Sequence, residues 1–469
     1  MTRPRHVAVI DIGKTNAKLA LVDLDGLAEI DIRKMPNRVL PGPPYPHADL
    51  DGLWRFITGA LAEIGRARGI DAISVTTHGA SAVLLDADDR PAVPMLDYEF
   101  DGPDALTAEY DALRPDFADT GSPRLPLGLN LGAQLHWLLE TQDGLRDRLD
   151  RVVTYPQYWA GRLTGEWYTE VTSLGCHTDL WEPQSGRFST LVDRLGLAGR
   201  MAPVRRASTR IGTLLPEVAA ATGLSPQTPV FCGIHDSNAS LYPHLLDQAP
   251  PFSVLSTGTW IIAMAIGGAA RALDPARDTL INVNALGQPV PSARFMGGRE
   301  FEMLRVGAAA RPTVSDITAV LDAGAMLLPA VVPESGPFQG RSARWSVSPE
   351  RLAPGEYAAV VSLYMALMTV TCLDMAGAEG PILAEGPFAR NTLFLDMLCA
   401  LTGRAVLLPE GSGTGTSIGA ALLTLPEAAC PAAAPVRAHR PPGRALAARL
   451  NHYAARWRAA LTDRKEPTA

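Results

Sequence analysis

The sequence predicts an α/β fold with two large domains, and three observations support this prediction. The chain has 469 residues, which is enough for two or three domains of ordinary size. Strand and helix patterns alternate from its start, as in α/β domains with a mixed sheet. The opening pattern of strand, small-residue turn and strand recurs at 252–266. If the recurrence is more than coincidence, two related domains cover 1–246 and 247–469.

The first hairpin is predicted from the stretch IDIGKTNAKLALVD at 10–23, where two apolar runs flank a turn of small and polar residues. The letters GKT at 13–15 match the end of a P-loop. A P-loop needs a further glycine where this chain has Ala8, so another kind of phosphate site is indicated. We expect Asp11 at the end of a strand beside backbone N–H groups. An ordinary hairpin would show the same pattern.

The next elements continue the alternation. A helix with one apolar face is predicted from Asp51, and the strand AISVTTHG follows at 72–79. The stretch PMLDYEFDG is predicted to be a loop that presents Asp97 and Tyr98. Proline- and glycine-rich loops are expected at 36–46 and 115–128.

The segment VFCGIHDSNASLYPHL at 230–245 predicts a strand that enters a helix through an acidic residue. Asp236 would then lie at the sheet edge where α/β proteins bind ligands, and it is a candidate general base. The alternative is that Asp236 caps the helix, since aspartate is a favoured N-cap residue. His235 is either a ligand-binding residue or a packed, hydrogen-bonded histidine.

The second half predicts buried helices and two glycine-bearing turns. Apolar stripes indicate core helices at 359–375 and 391–401, and 426–447 is predicted to be irregular before a terminal helix at 448–461. The turns at 385–387 and 411–415 each lead toward a helix. Glycines permit close backbone approach and helix N-termini favour anions, so both turns are candidates for binding a nucleotide.

Composition excludes several classes of partner. The net charge of −7 is well mixed along the chain, which argues against polymeric nucleic acid. Five cysteines without CxxC spacing predict neither a zinc knuckle nor a disulfide framework. The most apolar stretch is interrupted by small polar residues at 256–259, so no membrane span is expected. We therefore expect a cytoplasmic protein, either a monomer or a homodimer, that acts on small molecules.

A series of segments in fixed order completes the sequence evidence. The segments are DIGKTNAK (11–18), NLGAQLHWLLE (130–140), WAGRLTGEWYTEVTSLGCHTDLWE (159–182), GIHDSNASL (233–241), STGTW (256–260), GGREF (297–301), EGPFARNTLFLDMLCALTGRAVLLPE (385–410) and GTSIGAALL (415–423). Together they resemble the FGGY carbohydrate kinases of the sugar kinase, Hsp70 and actin superfamily. The resemblance implies two actin-like ATPase domains with ribonuclease-H-like cores and an interdomain cleft that holds ATP, Mg²⁺ and a sugar. It also implies ATP-dependent phosphorylation of a sugar hydroxyl.

The resemblance assigns roles by position. It implies that Asp236 is the catalytic base and that Asp11 holds Mg²⁺ through water. The residues it implies for the first phosphate loop are Gly13, Lys14, Thr15, Asn16 and Lys18. Those for the second are Thr257, Gly258 and Thr259. Those for the nucleoside are Gly386, Pro387, Asn391, Gly411 and Gly413. Those for the sugar are His78, Gly79, Asp97, Tyr98, His235 and Asp236.

Three features of the sequence bear on the substrate. Lys14 stands where the family commonly has a small residue, and it could reach either a phosphate, which we favour, or a surface carboxylate. His78 could bind the sugar or only bond to backbone at its strand end. The His235–Asp236 pair is similar to the base segment of rhamnulose kinases, which implies phosphorylation of a 6-deoxy ketohexose on O1, L-rhamnulose first and L-fuculose second. The alternatives are a kinase for xylulose, ribulose or erythritol, or a non-catalytic ATP-binding regulator.

Overall fold

The computed structural model describes residues 3–304, 311–409, 415–431 and 436–462. These residues form two compact units, and each unit consists of three separate segments of the chain. Unit 1 comprises the described parts of Met1–Gln248, Ile281–Pro289 and Ser412–Ala433. Unit 2 comprises the described parts of Ala249–Leu280, Val290–Gly411 and Ala434–Ala469. The first segment of unit 1 ends at Gln248, close to the boundary expected between 246 and 247, and two later segments belong to unit 1 again.

Strands and helices alternate through both units. The strands are β1 His6–Ile12, β2 Asn16–Asp23, β3 Ala28–Pro36, β4 Val39–Leu40, β5 His47–Ala48, β6 Ala72–Thr77, β7 Ala82–Leu85, β8 Arg151–Thr154, β9 Thr169–Glu170, β10 Trp181–Glu182, β11 Arg187–Phe188, β12 Val204–Arg205, β13 Arg210–Thr213, β14 Pro229–Phe231, β15 Ile234–His235, β16 Phe252–Thr257, β17 Ile261–Ile266, β18 Thr279–Val283, β19 Pro289–Phe295, β20 Leu327–Leu328, β21 Arg344–Trp345, β22 Ile382–Glu385, β23 Val406–Pro409 and β24 Val436–Ala438. The α-helices are α1 Leu50–Arg68, α2 Thr107–Leu113, α3 Phe117–Thr120, α4 Leu131–Thr141, α5 Leu145–Arg148, α6 Tyr155–Thr164, α7 Val171–Leu174, α8 Thr190–Arg194, α9 Pro216–Thr222, α10 Asp236–Asp247, α11 Gly297–Leu304, α12 Val314–Ala323, α13 Pro354–Met375, α14 Thr392–Thr402, α15 Gly415–Leu422 and α16 Arg444–Thr462.

The main sheet of unit 1 has the strand order β13-β14-β6-β1-β2-β3, with β15 also pairing with β6. β1 and β2 form the predicted antiparallel hairpin, which β3 extends. On the other side, β6 runs parallel to β1, and β14 runs parallel to β6. The sheet is therefore mixed, as the alternating pattern predicts.

The main sheet of unit 2 has the order β18-β19-β17-β16-β22-β23-β24. β16 and β17 form an antiparallel hairpin, β19 extends it, and β22 runs parallel to β16 on the other side. This is the arrangement of β3, β2, β1 and β6 in unit 1. The recurrence of the opening pattern at 252–266 is thus confirmed as a repeated topology.

Helices cover these sheets with the apolar faces that the sequence predicts. α1 begins after Asp49, whose carboxylate accepts a hydrogen bond from the N–H of Gly52, and buries Leu53, Ile57 and Leu61. In unit 2, α13 is long and apolar enough to span a membrane by composition. It begins at Pro354, and most of its side chains are buried in the core of the unit instead.

Two elements near the end of the chain differ from the prediction. The region 426–447, predicted to be irregular, contains the edge strand β24, which pairs with β23, and the terminal helix begins at Arg444 rather than 448. α15, expected in the second domain, packs on α10 in unit 1. A Cβ on Gly419 would lie 1.8 Å from the carbonyl oxygen of Ala239, so the two helices approach each other closely.

Candidate active site

Three neighbouring strands bring polar side chains to one edge of the unit 1 sheet. β1 pairs in parallel with β6 through Asp11 and Thr76, and β6 pairs in parallel with β15. His78 follows β6 and Asp236 follows β15, so both lie at the same carboxyl edge as Asp11. Burial raises the pKa of Asp11 and lowers the pKa of His78, and the charge of Asp236 adds to the first shift and opposes the second. The structure therefore gathers residues from three separate predicted segments.

Asp236 is the first residue of α10 and does not cap it. The N-cap position belongs to His235, so the capping alternative is wrong. The Oδ1 atom of Asp236 accepts hydrogen bonds from the N–H and hydroxyl of Ser237, at 2.6 and 3.2 Å, and lies 3.2 Å from Nε2 of His235. Within the described part of the chain, no hydrogen bond reaches Oδ2. A third of the side chain is exposed, so Oδ2 can accept a proton from a bound hydroxyl.

His235 is buried behind Asp236, which agrees with the hydrogen-bonded alternative. Its Nε2 lies 3.9 Å from Sγ of Cys176, and its backbone N–H donates to the hydroxyl of Thr172. Burial disfavours the imidazolium, but Cys176 and Asp236 together raise the pKa of His235 well above its usual value. In turn, although burial opposes its charge, Asp236 has a lowered pKa because His235 donates to it.

The sequence analysis missed the residues that hold His235. Thr172 donates both its N–H and its hydroxyl to Oε2 of Glu170, which is fully buried. Burial raises the pKa of Glu170 to about 7. A Cβ on Gly79 would lie 2.9 Å from Nε2 of His235, so this position requires glycine. Glu170 bonds to the neighbouring Thr172, but the contact of Thr172 with His235 joins two distant segments, which the sequence does not reveal.

Asp11 and Lys18 face each other across the first hairpin. Nζ of Lys18 lies 3.1 Å from Oδ2 of Asp11 and 3.0 Å from Oε1 of Glu29 on β3. Burial, opposed by Lys18, raises the pKa of Asp11. A carboxylate with a second carboxylate nearby, at Asp236, suits Mg²⁺ that is held mainly by phosphates and water. Among the described residues no group of three or more His, Cys, Asp or Glu could form a protein-only metal site.

The turn between β1 and β2 is anchored by a residue outside the predicted loop. The N–H of Gly13 donates to the carbonyl oxygen of Asn16 across the turn, at 2.9 Å. Asn37 donates its side-chain amide to the carbonyl oxygen of Gly13 and its N–H to that of Thr15. The side chains of Thr15 and Asn16 are exposed. The turn is therefore held by backbone contacts and leaves polar side chains available.

A pocket in unit 1 is lined by three of the six predicted sugar residues, His78, Asp97 and Tyr98, whereas Gly79, His235 and Asp236 are not part of its lining. Its polar lining includes Lys14, His78, Asp97 and Tyr98. The His78 and Tyr98 rings meet edge to face, with centroids 5.1 Å apart. Nδ1 of His78 donates to the carbonyl oxygen of Gly79, so the backbone bond expected as an alternative exists, and Nε2 is left as an acceptor. Val39, Ala48, Met95 and Leu96 supply apolar groups.

In unit 2, the second hairpin turn contacts the segment at 385–391. The hydroxyl of Thr257 donates to the carbonyl oxygen of Glu385 and accepts from the N–H of Phe388. Gly386 has φ +86°, and a Cβ there would lie 2.2 Å from the carbonyl oxygen of Thr257. Gly258 and Thr259 lie against the start of α11, where the N–H of Gly298 donates to the carbonyl oxygen of Thr259 at 3.1 Å.

The predicted nucleoside residues are only partly brought together. Pro387 opens a short 3₁₀ helix after Gly386. Asn391 caps α14 by accepting from the N–H of Phe394, and its amide donates to Ser362. Gly411 and Gly413 lie outside the described residues. Their assignment to a nucleoside therefore stays a prediction.

Family models match most of the chain. Residues 6–242 match the N-terminal domain of the FGGY family of carbohydrate kinases, and residues 249–433 match the C-terminal domain of carbohydrate kinase FGGY. The chain is 27% identical to an L-fuculokinase of Salmonella typhi over 273 residues, which are 56% of this chain and 57% of the relative. It is 26% identical to an L-fuculokinase of Escherichia coli K12 over 271 residues, 55% of this chain and 56% of that protein. The chain thus spans only a little over half the length of these relatives.

Solved structures resemble the whole chain. A carbohydrate kinase from Novosphingobium aromaticivorans has a TM-score of 0.90 and 37% sequence identity, over 99% of this chain and 100% of that one. A xylulose kinase from Rhodospirillum rubrum has a TM-score of 0.77 at 21% identity, over 97% and 98% of the two chains. The second similarity supports the fold alone.

Proposed function

The chain belongs to the FGGY family of carbohydrate kinases, and from this premise we propose that it transfers the γ-phosphoryl group of ATP to a primary hydroxyl of a ketose. The observation that carries the proposal is the environment of Asp236. The described hydrogen bonds of its carboxylate converge on Oδ1, and its pKa is lowered, so it is ionised at neutral pH with Oδ2 available. A positioned base of this kind contributes roughly 10²–10⁴-fold to rate.

The chemical step follows from this arrangement. Oδ2 of Asp236 accepts the proton of the sugar hydroxyl as its oxygen forms a bond to the γ-phosphorus. The bond from that phosphorus to the β–γ bridging oxygen breaks, and ADP leaves with the electron pair. The transition state is loose, so the base mainly orients the hydroxyl and takes its proton late. His235 keeps the carboxylate in place and ionised until then.

We assign the remaining predicted residues to ATP and Mg²⁺ within each unit. In unit 1, Gly13, Thr15 and Asn16 of the turn contact phosphate, and Lys18 pairs with Asp11. Asp11 would hold Mg²⁺ through water, and the ion would supply charge that neutralises the phosphates. In unit 2, Thr257, Gly258 and Thr259 contact phosphate through the hairpin turn. Gly386, Pro387 and Asn391 lie beside the nucleoside, and the same role is proposed for Gly411 and Gly413.

We propose a 6-deoxy ketohexose as the substrate, with phosphorylation on O1 and a cytoplasmic site of action. Two observations support this choice: the similarity to L-fuculokinases, and a pocket lined by both polar and apolar groups. The apolar groups suit a methyl group, and the face of Tyr98 suits the C–H face of a sugar. L-fuculose and L-rhamnulose are the first compounds to test.

A coupled ADP-release assay over a panel of ketoses and polyols tests this proposal. The panel contains L-fuculose, L-rhamnulose, xylulose, ribulose and erythritol, each with ATP and Mg²⁺. We expect the highest kcat/KM for a 6-deoxy ketohexose, with the phosphate on O1 by NMR of the product. Higher kcat/KM for another member would overturn the substrate choice and leave the kinase proposal standing. No turnover with any member would contradict the kinase proposal for this panel.

A further inference from the structure

Lys14 lies on the first phosphate turn, but its side chain points to the sugar pocket. Nζ contacts the carboxylate of Asp97, 83 residues further along the chain, and lies 3.1 Å from Oε2 of Glu99. It also lies 4.6 Å from the centroid of the Tyr98 ring. We propose that Lys14 is a specificity-determining residue that binds hydroxyl oxygens of the sugar and not the phosphates of ATP, an inference that rests on the proposed kinase function.

The charges around Lys14 decide between these two partners. Only 12% of the Asp97 side chain is exposed, so moving the ammonium to a phosphate would leave a poorly hydrated carboxylate unpaired. An ammonium held by two carboxylates also has little surplus positive charge with which to attract a further anion. The pocket therefore suits a neutral polyol rather than a sugar acid or a sugar phosphate.

The geometry of the ammonium supports binding to a hydroxyl. A lysine ammonium has three N–H donors; one of them donates to Asp97, and Glu99 forms an ion pair with the group. A further N–H can donate to a hydroxyl oxygen of the ligand, while Asp97 accepts from that hydroxyl or its neighbour. Such paired contacts to adjacent hydroxyls are possible because both charged groups line the same pocket.

Ser81 gives an independent indication that a polar ligand belongs here. It lines the same pocket, only 4% of the residue is exposed, and its hydroxyl has no hydrogen-bond partner among the described residues. A buried hydroxyl without a partner is costly, and a ligand hydroxyl would satisfy it. In this pocket, Ser81 and Lys14 can donate hydrogen bonds to a ligand, and Nε2 of His78 can accept one.

The test is the substitution Lys14→Thr, which restores the small residue common at this position in the family. We expect the KM for the preferred ketose to rise about tenfold or more, the fold-change for losing one charge-assisted hydrogen bond. The dissociation constant for ATP, measured by calorimetry, should change less than about twofold. Lys34→Thr, which makes the same change at an exposed position on β3, should alter neither quantity.

Ser81→Ala provides a second variant and should also raise the sugar KM without changing ATP affinity. Weaker ATP binding in Lys14→Thr with an unchanged sugar KM would overturn the inference. If the unsubstituted protein phosphorylates no ketose, the proposed function fails by itself. The ATP titrations still test whether Lys14 binds phosphate. A loss of ATP affinity in Lys14→Thr but not in Lys34→Thr would overturn the inference, and the same ATP affinity in both variants and the unsubstituted protein would support it.

Discussion

The properties of the Asp236 carboxylate are determined by its neighbours in the chain and across the sheet. His235 and Ser237 both donate to Oδ1, and His235 is itself fixed by Thr172 through its backbone. Because these groups stabilise the ionised form, Asp236 keeps its charge in an environment where burial alone would raise its pKa. The base is therefore the end of a chain of hydrogen bonds that begins at the buried Glu170.

The pH dependence of activity tests the role of His235. The substitution His235→Gln removes the group that lowers the pKa of Asp236, so that pKa should rise. Activity requires the ionised base, and the acid limb of kcat/KM should move to higher pH by about 1 unit. The measurement is the dependence of kcat/KM on pH for the preferred ketose, in both the unsubstituted protein and His235→Gln.

His452→Gln is the matched control, because His452 is exposed on α16 in unit 2. Its pH profile should coincide with that of the unsubstituted protein. If His235→Gln lowers activity equally at all pH values, the histidine supports only the local structure, and its influence on the charge of Asp236 would be excluded.

At the residue scale, sequence reasoning found the groups but not all of their contacts. The resemblance to FGGY kinases grouped Asp236, His78, Asp97 and Tyr98. In the structure, His78 and Asp236 follow paired strands at one edge of a sheet, and Asp97 and Tyr98 line a pocket with His78. Lys14 was expected to reach either a phosphate, which was favoured, or a surface carboxylate, and in the structure it contacts the carboxylate of Asp97. The direction of a long, flexible side chain depends on a partner 83 residues away, which no local pattern encodes.

At the element scale, each unit presents the turn of a β-hairpin beside a parallel strand. In unit 2 this turn is supported by the segment after β22, because Gly386 brings its backbone against Thr257. The positive φ and the short distance both require glycine at this position. The segment assigned to the nucleoside and the turn assigned to phosphate are thereby joined through a single close contact.

The substitution Gly386→Ala tests this contact. The added Cβ would lie 2.2 Å from the carbonyl oxygen of Thr257, so the backbone must shift, at a cost of about 1–3 kcal/mol in the free energy of unfolding. We also expect weaker ATP binding, because both nucleotide segments move. Urea unfolding and ATP calorimetry measure the two effects.

Gly403→Ala is the comparison variant. Gly403 also has a positive φ, of 66°, but a Cβ there meets nothing within 4 Å. It therefore carries the conformational penalty without the clash, and ATP affinity should be unchanged. Equal loss of stability and equal ATP affinity in the two variants would show that the contact with Thr257 has no special importance.

Elements with strong local patterns were predictable, and those that depend on distant partners were not. The hairpins, α1 and α14 have apolar periodicity, α13 is apolar on nearly all sides, and the structure confirms these elements. β24 is a three-residue edge strand with exposed side chains, so only its pairing with β23 defines it. The placement of α15 against α10 follows from a close approach at Gly419, which sequence order does not reveal.

At the scale of the whole molecule, the two units share a sheet topology but differ in the chemistry they carry. Unit 1 holds Asp11, His78, His235, Asp236 and the polar pocket, whereas Thr257 and Gly386, which we propose for ATP, lie in unit 2. The fold class was predictable because the repeated hairpin marks both units. The sequence did not predict that the chain alternates between the units, because only tertiary contacts assign 281–289 and the described part of 412–433 to unit 1.

The central claim is that Asp236 acts as the base of an ATP-dependent ketose kinase, and one measurement tests it most directly. The rate of ketose phosphorylation by Asp236→Asn should be compared with that of Asp247→Asn, an exposed residue at the other end of α10, with ATP affinity determined for both. We predict that kcat/KM falls by about 10²–10⁴-fold in Asp236→Asn alone, while both variants bind ATP normally. Undiminished phosphorylation by Asp236→Asn would contradict the account.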